Sequence, residues 1–70
     1  IMQFKDNLKE LMIENCFTQD SLAKAVGTTQ GTISKWLSGV QEPRLYQLKQ
    51  ICAVFGCTAD FLIGNENALD

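Results

Sequence analysis

The chain contains no histidine, a single proline and only three cysteines, Cys16, Cys52 and Cys57. Their number is odd and no CxxC or Cys/His cluster occurs, which argues against a secreted disulfide framework and a structural zinc site. A reducing, intracellular compartment fits this usage. A catalytic thiol needs a nearby base, which a histidine-free chain lacks, so an enzyme is not expected and neither is a cofactor or a metal. Long apolar runs are missing too. Nothing approaches the ~18 consecutive apolar residues that span a bilayer, and no basic-then-apolar segment opens the chain. The expectation is a cytoplasmic protein with no membrane partner and no evident small-molecule ligand. The chain begins Ile1-Met2, which points to Met2 as the natural start and Ile1 as an added residue.

What is present is enough for one small core, since 46% of the 70 residues are apolar. A second domain is excluded at this length, and residues 1–70 are expected to form one domain. Domains this small are often braced by disulfides or metal, so here the core must suffice alone or be completed by a partner. The net charge of −2 is unevenly spread. Residues 1–20 carry −2 and residues 50–70 carry −3, whereas Lys24, Lys35, Arg44 and Lys49 against Glu42 give residues 21–49 a net +3. At a Debye length of about 8 Å in physiological salt, a phosphate backbone responds to the nearest face. Chance clustering of cations on a solvated surface explains the distribution equally well.

Apolar residues recur at helical spacing almost throughout. Phe4, Leu8, Leu11 and Met12 share one face of a first helix, about 3–15, with Lys5, Asp6, Lys9, Glu10 and Glu14 opposite. Thr18 offers an N-cap to a second helix, 19–26, in which Leu22, Ala23 and Val26 share a face and Gly27 supplies the stop. Thr28 and Thr29 offer the next cap, and Ile33, Trp36 and Leu37 mark a third helix, 30–38, ended by Gly39. Pro43 suits the start of a fourth, about 44–55, carrying Leu45, Leu48, Ile51, Cys52 and Phe55 and closed by Gly56. Thr58 can cap a last short helix, 59–63, and residues 65–70 read as a frayed tail. No strand alternation occurs. The fold class is all-α, five short helices of low contact order.

The second and third helices are joined by Val26-Gly27-Thr28-Thr29. Gly27 can adopt positive φ, and Ala23 is small enough for the two helices to approach closely. This spacing describes a helix-turn-helix, whose second helix can enter a major groove, and equally an ordinary αα-corner. The outward face of the third helix favours the former. At about 100° per residue, Gly31, Ser38 and Lys35 lie about 140° to 200° from inward-facing Ile33. Thr32 and Ser34 flank them and Gln30 leads. A merely solvated face usually holds strong helix formers, and Gly31 costs up to ~1 kcal/mol relative to alanine. A helix that must sit against base edges has reason to stay slim. Trp36 is expected in the core.

The run FTQDSLAKAVGTTQGTISKWLSGVQEP followed by LYQLKQICAVFGCTADFLIG resembles the DNA-binding domain of the Cro/phage-repressor (XRE) helix-turn-helix family, from about Phe4 to Gly64. The resemblance implies a compact five-helix, lambda-repressor-like domain that binds operator DNA, usually as a homodimer on a palindrome. It implies that Gln19 holds a phosphate, that Thr29 caps the third helix beside the DNA backbone, and that Gln30, Gly31 and Lys35 occupy base-reading positions. Ser38 and Arg44 match phosphate contacts, and Thr28, Thr32 and Ser34 complete the candidate DNA-facing set. Gln30 could bond adenine N6 and N7 together. Two departures stand out. Leu37 replaces a frequent glutamate, so packing is expected where the family makes a polar link, and Gly31 leaves the second reading position without a side chain.

Two functional classes follow. One is a DNA-binding transcriptional regulator, a short repressor of phage or prophage type, an antitoxin or controller protein, or the front part of a longer repressor. The other is a protein-interaction module, antitoxin-like, that keeps the fold with little DNA affinity, which suits a pI near 4.9.

Overall fold

The computed structural model describes residues 3–63. It contains α1 (Phe4–Glu14), α2 (Gln19–Val26), α3 (Gln30–Ser38), α4 (Leu45–Phe55) and α5 (Ala59–Ile63), with no strand among the described residues. The tail expected at 65–70, Gly64 before it and the start at Met2 lie outside those residues.

Each helix begins where a side chain can occupy orphan backbone groups. Thr18 and Ser21 cap α2 reciprocally, with Ser21 N–H donating to Thr18 Oγ1 at 3.0 Å and Thr18 N–H to Ser21 Oγ at 2.9 Å. Thr29 Oγ1 accepts from Thr32 N–H at 3.2 Å at the start of α3, and Thr58 Oγ1 accepts from Phe61 N–H at 3.0 Å at the start of α5. Helix α1 is one residue shorter at each end than its periodicity suggests, because Gln3 and Asn15 serve as caps. Helix α4 starts at Leu45 because Arg44 is its extended N-cap (φ −74°, ψ 165°), its N–H donating to Gln47 Oε1 at 2.9 Å. Pro43 therefore stands just outside the helix rather than in its first turn.

The helices α2, α3 and α4 end on glycines of positive φ. Gly27 at φ +84° turns the chain so that its own N–H and that of Thr28 both reach Ala23 O, at 2.9 and 2.8 Å. This brings α3 back against α2. Helix α1 ends with the same geometry without a glycine. There Cys16 holds φ +59° while Phe17 N–H bonds Met12 O at 2.8 Å.

Leu8, Leu11 and Met12 from α1, Leu22, Ala23 and Val26 from α2, Ile33 and Trp36 from α3, Ile51 from α4 and Leu62 from α5 form one core. Burying a large apolar side chain there contributes about 1.5–3 kcal/mol. Trp36 is wholly buried, as expected, and its indole N–H has no partner among the described residues, so packing alone holds the ring. Leu37 is half-buried against the same core, and packing thus takes the place of the polar link. In α5 only Leu62 points inward, leaving Phe61 and Ile63 at the surface.

Two side chains of α1 leave the solvated role their periodicity suggests or omits. Asn7 is buried and donates from Nδ2 to Phe61 O at 3.1 Å and Leu62 O at 3.0 Å, tying α5 to α1. Lys5, expected on the polar face, is half-buried.

Candidate nucleic-acid interface

The α2–turn–α3 unit places the first residues of both helices side by side. Gln19 opens α2 and Gln30 opens α3, and Gln30 Nε2 donates to Gln19 Oε1 at 2.6 Å across eleven residues of sequence. A carboxamide has two N–H donors and an oxygen with two lone pairs. Gln30 therefore retains one N–H and its oxygen, the pair needed for the N7 and N6 of an adenine. Gln19 keeps both of its own N–H groups, which suit a phosphate oxygen.

Behind this pair, Gln30, Gly31, Ser34, Lys35 and Ser38 are exposed along one side of α3, while Ile33 and Trp36 are buried on the other. A Cβ at Gly31 would meet only Thr29 Oγ1, at 3.9 Å, so internal packing does not demand glycine there. The Thr29 and Thr32 hydroxyls lie 3.0 Å apart and engage each other in the first turn. Thr28 is half-buried in the turn. Ser38 Oγ donates to Lys35 O at 3.1 Å, so its hydroxyl must rotate before it can donate to a phosphate. Arg44 is exposed across the 39–43 loop, at the N-terminus of α4. The Gln19–Gln30 bond is the contact that joins members of the candidate set across the turn. Periodicity cannot show it, although the two VGTTQ and TQ motifs mark both residues.

No group of three or more His, Cys, Asp or Glu that could hold a metal occurs among the described residues. None of their helices is long and apolar enough to cross a membrane.

The α2–turn–α3 unit is thus a helix-turn-helix with a slim polar outer face and a paired glutamine entrance. Residues 8–62 match the helix-turn-helix family, and the chain belongs to this XRE-type family. It is 34% identical over 68 residues to the HTH-type transcriptional activator BcrR of Enterococcus faecalis, a match covering 97% of this chain. The chain spans 33% of the length of that relative. Among solved structures, the P22 c2 repressor bound to a synthetic operator superposes with a TM-score of 0.88 at 21% identity, covering 94% of this chain and all of that one. A transcriptional regulator from Listeria innocua gives a TM-score of 0.84 at 25% identity, covering 96% of this chain and 68% of that one.

Proposed function

We propose that the chain reads double-stranded operator DNA by inserting α3 into the major groove, and that it serves as a transcriptional repressor of phage or prophage type, in the cytoplasm of a bacterium. The Gln19–Gln30 hydrogen bond carries this reading. It holds Gln30 at the leading end of α3 with one donor and one acceptor still available, at an entropy cost met before DNA arrives. Gln19, Ser38 and Arg44 bind phosphates and set the register, Gln30 and Lys35 read base edges, and Gly31 lets the backbone approach without reading a base. The reading assigns no catalytic chemistry and no cofactor.

Two chains act together on a palindrome in this reading. One domain with few phosphate contacts and an empty second reading position holds a half-site weakly. Phe61 and Ile63, 40% and 41% exposed at the α5 end, supply apolar surface for pairing.

Selection from a random duplex library, followed by affinity measured at two salt concentrations, tests the proposal. Enrichment of one two-fold-related sequence, with affinity falling steeply in salt, is the expected result. Failure to enrich any sequence, with no salt-dependent binding, would leave the protein-interaction module as the function of this fold. The direction of regulation is read separately, by placing the selected site across a reporter promoter. A fall in transcription on adding the protein is expected, and a rise would overturn the repressor assignment.

A further inference from the structure

Lys5 begins in the first turn of α1 and ends at the opposite end of the recognition unit. A Cβ at Gly39 would stand 3.4 Å from Lys5 Cδ, 3.6 Å from its Nζ and 4.0 Å from its Cε. The lysine stem thus lies across that glycine, and the ammonium rests beside the turn that follows α3. Gly39 has φ +81°, a conformation that disfavours any other residue, and a side chain there would also crowd the lysine.

Two observations indicate what the charge does there. First, it is not required by the Lys35 and Trp36 carbonyls in the last turn of α3. Lys35 O accepts from Val40 and Gln41 N–H at 3.1 and 3.3 Å, and Trp36 O accepts from Gly39 N–H at 3.3 Å. The negative end of the helix dipole attracts the ammonium, but these two carbonyls are met by backbone N–H groups without it. Second, no carboxylate among the described residues lies within ion-pair distance of Lys5. The ion pair those residues form joins Lys24 to Asp20, at 3.2 Å, and neighbouring Asp6 is engaged with Gln3 N–H at 3.2 Å. An ammonium without a counter-ion among the described residues, carried on a half-buried lysine one residue from Ser38 on the flank of the exposed face of α3, is arranged to receive an anion from outside.

We propose that Lys5 is a DNA-phosphate-binding residue that clamps the backbone passing the C-terminal end of α3. The inference rests on the DNA-reading function proposed above. It adds a contact from α1, at a position outside residues 8–62 that match the family.

The test compares the full chain with Lys5→Met, which keeps the apolar stem, and Lys5→Arg, which keeps the charge. Affinity is measured from about 50 to 200 mM salt for the selected operator and for a mixed-sequence duplex, alongside thermal unfolding. Loss of one phosphate contact makes the slope of log K against log salt shallower by about 0.9, so Lys5→Met loses about three- to fourfold less affinity across that range than the original chain. The same change is expected on both duplexes, with Lys5→Arg restoring the slope. An unchanged slope in Lys5→Met overturns the proposal whether or not the melting temperature falls, because a purely structural lysine moves stability alone. A change confined to the selected operator also overturns it, since a phosphate contact carries no sequence preference. If the original chain shows no salt-dependent binding to either duplex, the DNA-reading function itself fails and this inference falls with it.

Discussion

In the proposed reading, a single carboxamide pair decides how α3 meets a base. Because Gln19 takes one N–H of Gln30, the remaining donor and acceptor of Gln30 are oriented before binding, and an adenine is the base edge that matches both. Gln30→Ala is expected to weaken binding to the selected operator by about 1–3 kcal/mol and to flatten preference at one base pair per half-site. Affinity for a mixed-sequence duplex should hold, and a repeat selection that returns the original motif would contradict this role. A second residue-scale effect concerns the backbone alone. Cys16 sits at φ +59°, where α2, α3 and α4 use glycine, and a side chain in that region costs about 1–3 kcal/mol. Cys16→Gly regains part of this, offset by the greater freedom of glycine in the unfolded chain. A net gain of about 0.5–1 kcal/mol is expected in the denaturant midpoint. A loss of stability would mean that the thiol packs more usefully than its exposure suggests.

At the scale of elements, α5 is the piece that cannot stand alone. Five residues are too few for a helix in water, so its persistence depends on docking. Leu62 supplies the apolar part and Asn7 the polar part, with one amide group bridging two carbonyls at the end of the helix. Asn7→Asp replaces that donor with a buried carboxylate facing two carbonyl oxygens, at a cost of about 3 kcal/mol or more. Hydrogen exchange should show the amides of α5 opening well before those of α2 and α3. Unaltered protection of α5 in this variant would show that Leu62 alone suffices. The helices themselves were legible in the sequence: α2, α3 and α5 have the bounds their periodicity gives, and α1 and α4 differ only where Gln3, Asn15 and Arg44 act as caps. Long-range polar contacts were not. Asn7 bonds Phe61 and Leu62, and the Lys5 stem lies over Gly39, across stretches of chain that periodicity does not link. The candidate face of α3 was legible from which residues oppose Ile33, whereas the pairing of Gln30 with Gln19 depends on how tightly Gly27 closes the turn.

At the scale of the whole molecule, a net charge of −2 coexists with a basic middle third, so association with DNA must come from one oriented face rather than from bulk attraction. On the proposed function such a domain gains modest electrostatic affinity, and Gly31 shortens the face offered to bases. The proposed pairing of two chains on a palindrome would double the contacts and compensate for both. Of the large apolar side chains exposed among the described residues, Phe61 and Ile63 crown α5, while Val40, Leu45 and Tyr46 lie at the α3–α4 loop and the start of α4 and Ile13 lies on α1. Sedimentation on the selected operator is expected to give two chains per site, with half-sites one helical turn, about 34 Å, apart. Ile63→Glu places a charge on the pairing surface without entering the core, so it should abolish cooperative binding to the full site while leaving affinity for an isolated half-site intact. One chain per site on a motif without symmetry would rule out the dimer, and equal loss on half and full sites would place the pairing surface elsewhere.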